Sequence, residues 1–232
     1  MIVVVTGASK GLGYAIAKQF AAQGNILLMC ARNEKVLNKS ADELRKLFPQ
    51  SIIHSYSADI SIKDETQSFA EWCLQFGVID ILINNAGQFL PGSVHNEEDG
   101  VLEKMIETNL YSAYHLTRAL LPKMMNNKSG HIFNICSIAS INAYANGGSY
   151  SISKFAMLGF NKNLREELKP YHIKVTAVLP GAAFTESWIG SGVDEKRIMQ
   201  ADDVAKMVYA AAQLSPQACV EEILMRPQLG DL

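Results

Sequence analysis

The chain has 232 residues, 48% of them hydrophobic, and a formal charge of −2 at neutral pH. That is the size of one α/β domain, 1–232, with material for an ample core, and the charge balance gives no basis for binding nucleic acid or an anionic membrane surface. The four cysteines form no Cys-x-x-Cys pair, the five histidines have no ligand spacing, and no apolar run approaches a membrane span. No metal is expected. The chain opens on an apolar strand rather than a basic leader, so a cytoplasmic protein with reduced thiols is expected.

Strands and helices alternate. Ile2–Val5 is a continuous apolar run and reads as a buried parallel strand ending at Thr6-Gly7. A helix follows with Leu12, Ala15, Ile16 and Phe20 on one face, and Gly24 ends it. Ile26–Cys30 is the second strand, 34–47 a helix stopped before Pro49, and Ile52–Ser57 the third strand. Ser61 is positioned to cap the next helix, and Ile79–Asn84 is the fourth strand. A long helical stretch covers 98–126, interrupted by Pro122 near its end. His131–Cys136 is the fifth strand, 149–169 a helix stopped by Pro170, Ile173–Leu179 the sixth strand, Asp202–Leu214 a helix and Val220–Met225 the last strand. This alternation predicts a Rossmann-type, doubly wound, seven-stranded and mainly parallel sheet with helices on both faces. Ligands bind at the carboxyl ends of such strands, where Thr6, Asp59, Asn84, Ser137 and Pro180 fall.

Gly7-Ala8-Ser9-Lys10-Gly11-Leu12-Gly13 follows the first strand directly and opens the first helix. Glycines there permit a tight turn and close approach of backbone to a pyrophosphate at the positive helix end. The spacing Gly-x-x-x-Gly-x-Gly differs from the commoner Gly-x-Gly-x-x-Gly. NAD binders place an acid at the end of the second strand for the ribose 2′-hydroxyl. Here that position reads Cys30-Ala31-Arg32-Asn33, with no acid before Glu34. A carboxylate would repel a 2′-phosphate, whereas the Arg32 guanidinium binds one with a planar fork of donors. Lys10 supplies a second cation. NADP(H) is therefore expected over NAD(H).

Tyr150 and Lys154 are four apart and share a helix face. A free phenol ionises near pH 10. A cation within about 4–6 Å lowers such a pKa by about 1–3 units. The pair can therefore serve as a proton donor and acceptor near neutrality, although two such residues at helical spacing are usually surface decoration, and it is the rest of the chain that favours catalysis.

Taken together, these motifs resemble the short-chain dehydrogenase/reductase family, in its single-domain NADP(H)-dependent branch, nearly end to end. Thr6-Gly7-x-x-x-Gly11-x-Gly13 is similar to the family's cofactor turn, and Asn84-Asn85-Ala86-Gly87 to its Asn-Asn-Ala-Gly. Asn109, Ser137, Tyr150 and Lys154 match its catalytic tetrad, with the family's gap of thirteen from Ser137 to Tyr150. Pro180-Gly181-x-x-x-Thr185 resembles the segment that orients the nicotinamide. The resemblance implies cofactor contacts from Gly7, Ser9, Lys10, Gly11, Leu12 and Gly13 in the turn, Arg32, Asp59 and Ile60 after the second and third strands, and Asn85, Ala86 and Gly87 after the fourth. Tyr150, Lys154, Pro180, Gly181, Ala183 and Thr185 complete that set.

The implied reaction is hydride transfer between NADPH and a carbonyl or alcohol, possible carbonyls including fatty-acyl, diketone, sugar and pteridine groups. Tyr150 protonates the alkoxide, Lys154 lowers the Tyr150 pKa and holds the ribose, and Ser137 holds the carbonyl oxygen. Asn109 stabilises a helix irregularity and a proton-relay water. The bland alternatives are that Ser137 is a strand-end turn residue, Asn109 a helix-interior residue and Asp59 a helix cap. Asn84 reads as structural and Asn85 as the one that approaches the cofactor. His95, Phe89, Trp188 and Met199 lie in loops on the expected substrate side.

Two departures stand out. The stretch between Thr185 and Ala201, a substrate lid in the family, is short, and the ending Val220-Glu-Glu-Ile-Leu-Met-Arg-Pro227 is not Gly-rich. A homodimer or homotetramer is expected, with Leu110, Tyr111, Tyr114, Leu121, Phe155, Leu158 and Phe160 as surplus apolar surface on the pairing helices. The competing function class is a non-catalytic NADP(H)-binding sensor on the same fold. The intact tetrad favours the enzyme, because a binding module has no need of Ser137, Tyr150 and Lys154 together.

Overall fold

A computed structural model describes residues 1–188, 190 and 192–231. One seven-stranded sheet organises the chain. Its strands are β1 (Ile2–Thr6), β2 (Ile26–Ala31), β3 (Ile52–Ser57), β4 (Ile81–Asn84), β5 (Gly130–Ile135), β6 (Ile173–Pro180) and β9 (Glu222–Met225). The order is β3-β2-β1-β4-β5-β6-β9 and every pairing is parallel. The strand order reverses between β1 and β4, which opens a crevice at their carboxyl ends.

The two faces follow from strand alternation. Val3 and Val5 of β1, Leu27 and Met29 of β2, and Ile81 and Ile83 of β4 pack on one side with helices α1 (Gly11–Ala21), α2 (Glu34–Leu47) and α7 (Ala201–Ala212). Val4, Leu28 and Leu82 pack on the other with α3 (Lys63–Cys73), α5 (Ser112–Asn127) and α6 (Gly148–Leu168). Each central strand is buried on both faces, which is why it reads as an unbroken apolar run. Cys30, Cys73 and Cys136 are buried free thiols and Cys219 is half-buried. Among the described residues no helix is long and apolar enough to cross a membrane.

Several expectations need correction. Ser61 does not cap α3. Its N–H and hydroxyl both donate to Asp59 Oδ1, at 3.1 and 2.6 Å, an Asx-type turn that precedes the helix. Glu65 reaches back to accept the Asp59 N–H at 2.7 Å. The stretch 98–126 is not one helix interrupted by Pro122. It comprises α4 (Val101–Ile106), a wide π-turn at Glu107–Tyr111, and α5, with Pro122 inside α5. Pro122 is tolerated because it and Arg118, whose carbonyl it frees, both lie on the exposed side. Of the surplus apolar residues, Tyr111, Tyr114 and Phe155 are exposed, but Leu158 is core, and Leu110, Leu121 and Phe160 pack against the core.

The segment after β6 is closed at its base by a short parallel pair, β7 (Ala183–Phe184) with β8 (Met199–Gln200). Short 3₁₀ turns at Glu186–Trp188 and Glu195–Arg197 lie between them. Ile189 and Ser191 of the expected lid lie outside the described residues.

Candidate active site

The glycine turn is shaped by what surrounds it. Gly7 and Gly11 have φ of +63° and +57°, in the left-handed region that favours glycine. A Cβ on Gly13 would overlap the Gly7 carbonyl and the Asn85 amide. A Cβ on Gly11 would come within 3.3 Å of Thr185, so the turn directly faces the segment after β6. Thr6 Oγ1 accepts the N–H groups of Asn85 and Ala86, both at 3.0 Å, and donates to Ile83 O at 3.3 Å, joining the ends of β1 and β4. The Asn85 amide donates to Thr6 O and Gly7 O, at 2.8 and 3.3 Å. The Asn85 side chain thus braces the glycine turn. Ser40 donates to Ser9 O at 2.7 Å and fastens the turn to α2, while Lys10 is exposed.

The backbone N–H groups at the start of α1 lie at the carboxyl end of β1, beside the reversal of strand order, a placement that suits a pyrophosphate. Arg32 Nη1 is 3.8 Å from Asp59 Oδ2 at the ends of β2 and β3, an exposed ion pair at the expected adenosine position. Ile60 and Ala183 are buried in the two cores, Leu12 is half-buried against one of them, and Pro180 ends β6.

The catalytic candidates come together at the ends of β4 and β5. Asn84 donates to Asn134 Oδ1 at 2.9 Å and to Thr117 at 3.0 Å, and Asn134 donates to Asn161 of α6 at 2.9 Å. This chain of amides locks β4, β5 and α6 together under the site. Asn109 sits in the π-turn with 1% exposure. Its Oδ1 accepts Gln88 N–H at 2.7 Å, and its Nδ2 donates to Gln88 O at 3.0 Å and Ser153 Oγ at 2.9 Å. The Asn109 amide therefore ties the loop after β4 to α6. Gly87 lies between, where a Cβ would stand 3.2 Å from Asn109 and 3.6 Å from the Lys154 ammonium.

Ser137 has the turn role as well as a place at the site. Its hydroxyl accepts Ala139 N–H at 3.1 Å and caps the 3₁₀ turn Ile138–Ser140. Its hydroxyl also lies close enough to the Tyr150 phenol to favour the ionised form. Lys154, 5% exposed, donates to the Ile135 carbonyl at 2.8 Å, and its ammonium lies 5.8 Å from the Tyr150 ring centroid.

The electrostatics differ from the expectation. Burial raises the Tyr150 pKa above its ordinary value, opposed in part by the nearby Ser137 hydroxyl. Burial likewise lowers that of Lys154. Desolvation is the largest influence on both groups and favours the neutral, protonated phenol.

Phe89 stands edge-on to Tyr150, with centroids 4.9 Å apart. His95 is exposed, Trp188 lies in a 3₁₀ turn, and Met199 packs on the core. Sequence reasoning missed Glu97, whose carboxylate accepts Ser149 N–H at 2.9 Å at the start of α6. The available signal was the opening Gly147-Gly148, a helix start without a capping side chain.

The sequence pattern of the family described as short chain dehydrogenase matches residues 1–195. The chain belongs to the short-chain dehydrogenase family. It is 31% identical over 227 residues to an uncharacterized oxidoreductase of Staphylococcus epidermidis, covering 97% of this chain and 96% of the relative. It is 32% identical to the sepiapterin reductase of Chlorobaculum tepidum, covering 100% and 98%. A metagenomic short-chain oxidoreductase solved in complex with NADP shares 32% identity at a TM-score of 0.86, covering 98% of this chain and 97% of that one. The protein is an oxidoreductase of this family.

Proposed function

We propose that the protein interconverts a carbonyl and an alcohol by hydride transfer with NADP(H), using Tyr150 as the acid and base. The observation that carries the reading is the meeting of Ser137, Tyr150 and buried Lys154 at the strand ends across from the glycine turn. When bound, NADPH would supply a hydride for the carbonyl carbon, with the C=O π-electrons passing to oxygen. Tyr150 gives its proton to that oxygen, and Ser137 stabilises the developing charge by hydrogen bonding. Lys154 steadies the phenolate left behind and holds the ribose hydroxyls, with Ile135 O aiming its ammonium. Asn109 keeps the loop after β4 in register with α6.

Arg32 and Lys10 support NADP(H) over NAD(H), because both are exposed cations at the adenosine end and no acid ends β2. The substrate is a small molecule entering between the loops after β4 and β6. The test is NADPH oxidation, followed by its near-ultraviolet absorbance, with a panel of aldehydes, diketones and 3-oxoacyl esters. Turnover that is lost in Tyr150→Phe supports the reading. NADPH binding without turnover of any carbonyl, or of the matching alcohols with NADP⁺, would favour a sensor.

A further inference from the structure

Helix α6 carries Tyr150 in its first turn but does not cap itself. Gly147 stands at the cap position without a side-chain hydrogen bond. The acceptor comes from 52 residues away: Glu97 Oε1 takes the Ser149 N–H at 2.9 Å, and Oε2 takes the Ser149 hydroxyl. Ser149 is the second residue of α6, where a cap side chain acts, and a carboxylate there also opposes the positive helix end. The contact is tightly built. Ser149 is 2% exposed. Gly148 has φ +27°, and a Cβ on it would overlap the Glu97 carboxylate. A second tie lies beside it: Gly92 N–H donates to Asn146 O at 3.2 Å and Ser93 donates to Asn146 Oδ1 at 3.0 Å. The same loop brings Phe89 against the Tyr150 ring at 4.9 Å.

We propose that Glu97 is a positioning residue for Tyr150, and that the loop 88–97 must be seated for the first turn of α6 to hold the acid in place. The cap that most helices carry locally is here delegated to the wall of the substrate crevice. Seating of that wall and ordering of the acid become one event. A substrate that presses the loop down also fixes Tyr150, whereas a lifted loop leaves the Ser149 N–H unpaired and the turn free to fray. The proposal rests on Tyr150 being the acid.

The test is a double-mutant cycle between Glu97→Ala and Tyr150→Phe, with two readouts. The first is turnover per NADPH-binding site on the best carbonyl of the panel. Glu97→Ala should lower kcat about tenfold, the effect of losing a cap, with NADPH affinity within about twofold of wild type. In the Tyr150→Phe background it should have no further effect. Glu97→Gln keeps the Oε1 acceptor and should recover most of the loss. Glu97→Asp, one methylene too short to reach the Ser149 N–H in the same place, replaces Glu97→Ala in the cycle if the alanine variant does not fold. Equal fractional loss in both backgrounds, or an unchanged kcat, overturns the proposal. The second readout is amide hydrogen exchange, which needs no substrate. Exchange at Ser149 and Tyr150 should accelerate in Glu97→Ala while the end of α6 is unchanged, and unaltered exchange there overturns the capping role. Near-normal turnover of Tyr150→Phe alone would refute the acid assignment and leave the exchange result to judge the cap.

Discussion

Arg32 and Asp59 face each other at 3.8 Å across the ends of β2 and β3. The cation proposed to read a 2′-phosphate is thus already paired with Asp59, itself an expected cofactor contact. Both are partly solvated, so the pair is worth little by itself and is readily exchanged for a phosphate. A charge-assisted hydrogen bond contributes about 1.5–3 kcal/mol, and exposure favours the lower end. Arg32→Ala should therefore weaken NADPH about tenfold and leave NADH nearly unchanged, as read by fluorescence titration. Equal losses for both cofactors would show that Arg32 does not read the phosphate.

Tyr150→Phe keeps the ring against Phe89 and removes the proton. Turnover should fall at least about 100-fold, with NADPH binding retained. Because burial raises the phenol pKa, the acid form persists through neutrality. Carbonyl reduction should be flat from about pH 6 to about pH 8 and decline only in alkali, while alcohol oxidation, which needs the phenolate, should climb with pH. Lys154→Ala should damage both turnover and NADPH binding. A pH profile of reduction that falls through neutrality contradicts the raised pKa.

Gly13→Ala drives a methyl into the Gly7 carbonyl and the Asn85 amide. Overpacking of this kind costs about 1–3 kcal/mol, and the shifted turn should also lose NADPH affinity. Gly159→Ala is the matched control. Gly159 lies inside α6 with nothing within 4 Å of an added Cβ. That change should stabilise the protein by about 0.5–1 kcal/mol. Thermal melting of the two variants should move in opposite directions.

His131 is buried at the start of β5 with its Nε2 2.7 Å from Thr176 Oγ1, and burial lowers its pKa from 6.5 to about 3. The unfolded chain binds a proton there below its ordinary pKa, and the native protein does not until about 3. The stabilising contribution is therefore present above that window and lost as pH falls through it, by up to about 1.4 kcal/mol per pH unit. His131→Gln, which can still bond Thr176, should flatten the loss of urea resistance between about pH 6 and about pH 4. An unchanged slope would mean that another group governs the acid limb.

The assembly is tested through α5 and α6. Tyr111 is 47% exposed and Phe155 45%, with Ile152 and Tyr114 also open to solvent. Apolar surface of this kind marks interfaces, and a two-fold pairing would bury it against itself. Sedimentation at micromolar concentration should give at least a dimer, and Phe155→Glu should dissociate it. A monomeric wild type would refute the pairing.

The sheet was legible because its strands are apolar on both faces, so that runs such as Ile2–Val5 and Ile173–Leu179 stand out whatever their partners. The glycine turn was legible because Gly7, Gly11 and Gly13 answer local steric demands. What stayed hidden was non-local. The family resemblance implied an irregularity at Asn109, but not that the wide turn at Glu107–Tyr111 is held by Gln88 and Ser153, which periodicity does not connect to it. Ser61 was a plausible cap until Asp59 took both its donors. The effect of Lys154 on Tyr150 was read from spacing alone, whereas the sign of the phenol shift is set by burial, a property of the whole fold. Leu158 looked like surface because its helix face was assigned without knowing what lay beneath it.

The wide turn at Glu107–Tyr111 has one more implication. A π-turn accommodates a single extra residue within a helix while leaving the flanking turns in phase. The faces of α4 and α5 that meet the core are therefore those of an uninterrupted helix one residue shorter. Deleting Thr108 should merge the two into one regular rod with its buried side unrotated, yet remove the lateral projection that lets Asn109 reach Gln88 and Ser153. Such a protein would separate architecture from chemistry: a scaffold intact in its melting behaviour, with only the tie between loop and catalytic helix erased. One residue beyond a regular helix thus lets a structural strut reach sideways to the loop after β4 and to α6.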